Sequence, residues 1–197
     1  GLAADQVSWE SIAARVRDAD LKALRAGFPD YPAADLLAPF DASVAALPGP
    51  ARDRYLRLAV FEHQGPVPAR MAYLLWSGQG GDERADEELL ALLARRSLLR
   101  LDPAQGTFNL HDLQFGYARW ALGGDGLAAA HRGLAHAVLD AWGGAGLQLP
   151  ATASRSFGSD PADQYAVEHL AAHLVAAGEA ELLHRLLAMD GSVFTSA

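Results

Sequence analysis

Apolar residues recur every three or four positions through most of this chain, and that spacing predicts a succession of amphipathic helices. The first covers residues 8–26, "SWESIAARVRDADLKALRA", with Trp9, Ile12, Val16, Leu21 and Leu24 at helical spacing, Ser8 as its N-cap and Gly27 as its stop. A softer helix spans 33–47 and is broken by "PGP" at 48–50. Residues 51–61, "ARDRYLRLAVF", bring Tyr55, Leu58 and Ala59 onto one face of a third. Pro66 and Pro68 mark a turn and the start of a fourth over 68–76, because the missing proline N–H costs nothing in a first helical turn. The fifth, "DERADEELLALLARR" at 82–96, carries its acids first and its arginines last, as the helix dipole prefers.

The period then changes. "SLLRL" at 97–101 and "TFNL" at 107–110 are short and partly alternating, and the turn-forming "DPAQG" between them predicts a two-stranded hairpin. On this reading Ser97 and His111 sit on opposite strands of the hairpin, and Asp112 caps a helix that runs through Tyr117 and Trp120. Beyond "GGDG" at 123–126 a helix covers about 127–142, a Gly-, Ser- and Pro-rich loop covers 143–160, and two more helices lie in "PADQYAVEHLAAHLVAAG" and "EAELLHRLLAMD", the first ended by Gly178. Helices, then a hairpin, then a trailing helix make a winged-helix order. The expected fold class is therefore mostly α, with one small β-hairpin and a domain boundary near 123–126.

Composition narrows the partners. A chain of 197 residues, 51% hydrophobic, can bury a core as one compact unit or two small ones. It has no cysteine, which fits a reducing compartment and removes thiolate chemistry. No signal-peptide pattern is found, and every apolar run is broken before the ~20 residues that a membrane span needs, so the expectation is a cytoplasmic protein without a membrane partner. A formal charge of −8 and a pI near 5.2 disfavour nucleic acid, whose affinity comes largely from lysine and arginine on phosphates. The single lysine, Lys22, stands in "ADLKALRAG", so the chain contains no Gly-rich phosphate loop ending in Lys and Ser or Thr.

His169 and His173 in "EHLAAH" are four apart and share a helix face, a spacing that can hold zinc. A metalloprotease helix has its glutamate directly after the first histidine, whereas Glu168 precedes His169, and no third ligand is in view. These histidines, with His131, His136 and His184, are read as packing or hydrogen-bonding residues, and no metal is expected. The candidate DNA-recognition helix of a winged helix carries Asp82, Glu83, Asp86, Glu87 and Glu88, and the wing turn has no basic residue, so this acidic stretch reads as a solvated face. No serine lies in a G-x-S-x-G elbow, and no catalytic residue is expected. A lone histidine after a strand is most often structural. Even so, His111 offers an imidazole with an unperturbed pKa of about 6.5, a group that can contact a phosphate without hydrolysing it.

"RYLRLAVF", "PARMAYLLW", "ELLALLARRSLLRLD" and "NLHDLQFGYA", in that order and spacing, resemble the winged-helix domain of the NB-ARC or STAND signalling ATPases, the group that includes the apoptotic protease-activating factor and plant resistance proteins. "LHD" at 110–112 looks like their MHD motif. "SWESIAARVRDADLKALRA" is similar to the end of the small helical domain that precedes the winged helix, and "YAVEHLAAHLVAAGEAELLHRLLAMD" to the helical domain that follows it. The resemblance implies residues 1–27 as the end of one helical domain, 28–123 as the winged helix and 124–197 as the start of a second helical domain. It implies that His111 contacts the β-phosphate of ADP, that Ser97 approaches the same nucleotide, and that Asp112 caps the following helix. Walker A and Walker B segments are absent, so the expected chain is a regulatory, non-enzymatic piece of a parent ATPase with no cofactor of its own. In that parent, ADP or ATP with magnesium sits on a separate nucleotide-binding domain. The implied partners are that domain and downstream sensor repeats, with self-association of the activated parent. Two other readings stand beside it: a DNA-binding winged-helix regulator, and a protein-interaction module with no nucleotide link.

Overall fold

A computed structural model describes residues 37–61, 65–78, 82–142 and 160–188. The helix read at 8–26, the 1–27 segment and most of the 143–160 loop lie outside these residues. The chain divides into two compact units, Gly1–Asp53 and Arg54–Ala197. In the first, α1 spans Leu37–Ala45 with Ala42 and Val44 buried; it ends two residues before the expected 47, and positions 33–36 of the expected helix lie outside the described residues. Helix α2, Gly49–Arg57, begins inside the "PGP" that ends α1, since proline suits the first turn of the helix it opens. It crosses into the second unit and tightens into a 3₁₀ turn at Leu58–Val60, all three residues buried.

The second unit is mostly helical, with one small antiparallel sheet. Strand β1 is Val67–Pro68, followed by α3 (Ala69–Ser77), α4 (Glu83–Arg95), β2 (Arg100–Asp102), β3 (Thr107–Asn109), α5 (Asp112–Ala141), α6 (Pro161–Ala176) and α7 (Ala180–Ala188). The hairpin gains a third strand that the sequence pattern did not signal. β1 pairs with β3, Val67 opposite Phe108, so the order is β1-β3-β2. Two residues, the second a proline and the first preceded by another, are too short to show alternation, and only the partner strand makes them a strand. The turn between β2 and β3 is closed by Asp102, whose Oδ1 accepts from the N–H groups of Ala104 and Gln105 at 3.0 and 3.1 Å. Phe108 is buried and meets the edge of Phe61, ring centres 5.5 Å apart.

Helix α4 behaves as its charge pattern predicts at its start. Asp82 caps it, accepting from Ala85 N–H at 2.8 Å, and Leu89, Leu90 and Leu93 are buried. Asp86 departs from the expected solvated face. It is 4% exposed and holds Arg54 of α2 at 2.7 Å, while the Arg54 carbonyl accepts from Trp76 Nε1 at 3.0 Å.

The helices expected at 112–120 and 127–142 are two arms of α5, joined at Gly123, whose φ of 71° and ψ of 167° are not helical. The segment 123–126 is thus a kink within the second unit. A side chain at Gly123 meets nothing within 4 Å, so its constraint is the backbone angle alone. Gly123→Ala should cost about 1–3 kcal/mol, whereas Gly124→Ala, next to it and in open space with ordinary φ, should raise stability by about 0.5–1 kcal/mol. Thermal unfolding of the two variants checks both signs.

Helix α6 runs antiparallel to the second arm of α5. Trp142 Nε1 donates to Asp163 at 3.0 Å near one end, and near the other Arg132 donates to the Ala177 carbonyl at 2.8 Å and to Glu179 at 2.6 Å. Arg132 thereby satisfies a carbonyl at the α6 C-terminus, just before the left-handed Gly178 (φ 73°) turns the chain into α7. Among the described residues no helix is long and apolar enough to cross a membrane.

Candidate functional site

Ser97 is not on a strand. It follows the α4 C-cap Arg96, its N–H donating to the Ala94 carbonyl and the next N–H, from Leu98, donating to Leu93, both at 2.9 Å. That pair of bonds is a Schellman motif, and the buried Leu98 and Leu93 complete it. The motif needs a left-handed residue between them, usually glycine. Ser97 takes that place with φ 57°, the one non-glycine residue with positive φ among the described residues. A serine where glycine is easier leaves its hydroxyl exposed at the turn at a modest backbone cost.

His111 is likewise off the hairpin. Its φ of −72° and ψ of 153° are extended, and it is the N-cap of α5, with Asp112 as the first helical residue. The expectation that Asp112 caps this helix is corrected by one position. The chain leaves β3 through the buried Leu110, and the capping role falls on the next residue, with Gln114 at the third helical position reaching back. Gln114 Oε1 accepts from the His111 N–H at 2.8 Å, and its Nε2 donates to the Ser97 carbonyl at 2.6 Å. One amide therefore fastens the two turns to each other.

The result is a shallow groove of about 560 Å³ lined by residues that include Ser97, Arg100, Asn109, His111, Asp112 and Gln114. The three residues singled out by the motif resemblance share this groove, and His111, Ser97 and Asp112 are all exposed. Gln114 was missed in the sequence, although its spacing from His111 is that of a capping box with histidine in the serine position.

The remaining histidines divide differently from their spacing. His173 is 5% exposed, and its Nδ1 lies 2.8 Å from Nδ1 of His131 across the α5–α6 contact, so one ring donates and the other accepts. His169 instead packs against Tyr165, ring centres 4.2 Å apart and planes tilted by 42°, with Glu168 at 3.9 Å from its Nε2. Burial, then the positions of His131 and His169, hold the His173 imidazole down to about 3. Among the described residues no group of three or more His, Cys, Asp or Glu is placed to hold a metal ion. His136 and His184 are exposed.

A comparison of the chain with protein-family models and with curated proteins finds no match.

Proposed function

We propose that this chain is the regulatory winged-helix and helical portion of a STAND-type signalling ATPase, in which His111 and Ser97 form the face that closes on bound ADP. The reading is carried by one observation. His111 and Ser97, fourteen positions apart in the sequence, line the same groove, and Gln114 fastens the backbone of one to the backbone of the other.

The groove fits one end of a nucleotide and no more. Toward the edge of a phosphate it offers the His111 imidazole, the Ser97 hydroxyl, the Arg100 guanidinium and the positive end of the helix that begins at His111, with the Asp112 carboxylate beside them. It has no Gly-rich cradle, so the remaining phosphate contacts and the magnesium belong to a separate nucleotide-binding domain of the parent protein. Bound nucleotide would supply the charge that distinguishes the closed state from the open one. Within this chain, Gln114 ties the two contact residues together, and the α4 and α5 termini carry them. A shift between states requires contacts present in one and lost in the other, and His111 is the residue placed to make that difference. The sensor and effector regions then read the position of the second arm of α5 and of α6.

The test is made in a longer chain that includes the nucleotide-binding domain. His111→Ala should lower ADP affinity by roughly 10–100-fold, the loss of one charge-assisted hydrogen bond, and raise basal activity. Ser97→Gly removes the hydroxyl while keeping the left-handed turn, so it should weaken ADP without unfolding α4. Unchanged ADP content on purification of both variants would overturn the reading and favour an interaction module with no nucleotide link.

A further inference from the structure

A second cavity, of about 610 Å³, lies where the kink of α5 meets α6. Its volume is within the range of small-molecule sites. Helix α5 contributes Arg119 and, beyond the kink, Leu127 and His131; helix α6 contributes Tyr165, His169 and His173. The α6 residues stand at i, i+4 and i+8, a single stripe in which the Tyr165 ring neighbours both imidazoles, His169 at 4.2 Å and His173 at 6.4 Å between ring centres. Val60, Ala172 and Val175 add apolar wall.

The charge of this lining is unusual for the chain around it. In a protein of net charge −8, the cavity gathers three imidazoles and a guanidinium, and no carboxylate lines it among the described residues. His173 Nε2 is fully buried and meets no hydrogen-bond partner among the described residues, an omission that costs stability in a folded protein. Burial and the neighbouring His131 and His169 oppose protonation of His173, and the ligand that offsets this is an anion.

We infer that this cavity binds a small organic anion, a carboxylate carried on an apolar body. The nitrogen-bearing side chains face the carboxylate, and Leu127, Val60 and Val175 cover the rest. The titratable and charged groups around His173 are Arg119 and His131 from α5, and Tyr165 and His169 from α6, with Glu168 beside His169; the Phe61 ring packs edge-on against it. Arg70 of α3 is engaged by Asp160 at the far, N-terminal end of α6, and Glu179 by Arg132. Because burial keeps His173 neutral until strongly acidic pH, an arriving carboxylate brings a proton onto the cluster, and binding tightens as pH falls. None of this depends on the nucleotide reading of the other groove.

Benzoate and inorganic phosphate serve as probes, with the histidine ring signals of the whole chain followed by NMR at about pH 6 and about pH 8. Benzoate should shift the His131 and His173 signals saturably, with affinity rising by up to about tenfold per pH unit on acidification. Arg119→Ala, at an exposed position, should keep the helical circular dichroism and weaken benzoate at least about fivefold. Absence of a saturable shift at the lower pH, or an unchanged affinity in Arg119→Ala, overturns the site. Phosphate binding as tightly as benzoate overturns the apolar part of the assignment.

Discussion

Arg54→Met lowers the free energy of unfolding by about 3–5 kcal/mol, the cost of leaving a buried carboxylate without its partner. Arg54 reaches from α2 to Asp86 at 2.7 Å, with side-chain exposures of 11% and 6%, and its guanidinium lies 5.9 Å over the Trp76 ring. Burial raises the Asp86 pKa, and the Arg54 charge and hydrogen bond pull it back only in part. The sign for the variant follows. Without Arg54 the folded-state carboxyl titrates still higher than the unfolded one, so the folded state binds more protons and the variant regains stability as pH falls. A second substitution, Asp86→Leu, should restore most of the loss, because an apolar pair of similar volume removes the buried charge altogether. Urea unfolding of the wild type, Arg54→Met and the double variant at two pH values measures each step. Equal midpoints for Arg54→Met and the wild type would show the ion pair to contribute nothing.

Acidification should unfold the wild type through His173. Its folded-state pKa is pushed down to about 3, against an unfolded value of 6.5. Between those values the unfolded chain binds more protons, so the stability present above about pH 6.5 is lost progressively as pH falls toward 3. The integrated effect is on the order of a few kcal/mol. His173→Leu loses the bond to His131 and is expected to be less stable at neutral pH, yet its stability should fall less steeply in this window. The difference in slope is the readout, since surface carboxylates titrate alike in both proteins. Parallel slopes would remove His173 from the account of acid unfolding.

These two predictions rest on residues whose roles the sequence pattern placed elsewhere. Asp86 stands in a run of acids that reads as a solvated face, and Glu83, Glu87 and Glu88 are indeed exposed. Asp86 differs because it precedes Leu89, Leu90 and Leu93 on the buried side by three, four and seven positions. That offset is visible in the sequence, but the cation that makes burial tolerable is thirty-two residues away. His173 was grouped with His169 by their spacing of four. Its hydrogen-bond partner is His131, forty-two residues earlier on another helix. Helical spacing states which side chains share a face and says nothing about what that face meets.

The groove shows the same division more finely. The residues Ser97, His111 and Asp112 could be named from the motif order, and the structure places all three along one groove. Their local roles came out differently. Ser97 sits in a left-handed helix exit and His111 in the N-cap, because the strands begin at Arg100 and end at Asn109, each shorter than alternation suggested. Gln114 had a legible signal, three residues after the cap, but its second bond, to the Ser97 carbonyl, joins two turns that only the closed hairpin brings together.

By itself the sequence determined the helical class, the start of α4 at Asp82, the position of the hairpin and the absence of a phosphate loop, since each depends on periodicity, capping or residue type over a few neighbouring positions. The tertiary structure alone decided the third strand, the Arg54–Asp86 pair and the contact between His131 and His173. Each of these pairs groups distant in the chain, and their energy comes from burial and hydrogen bonding across the contact, which no local window of residues contains.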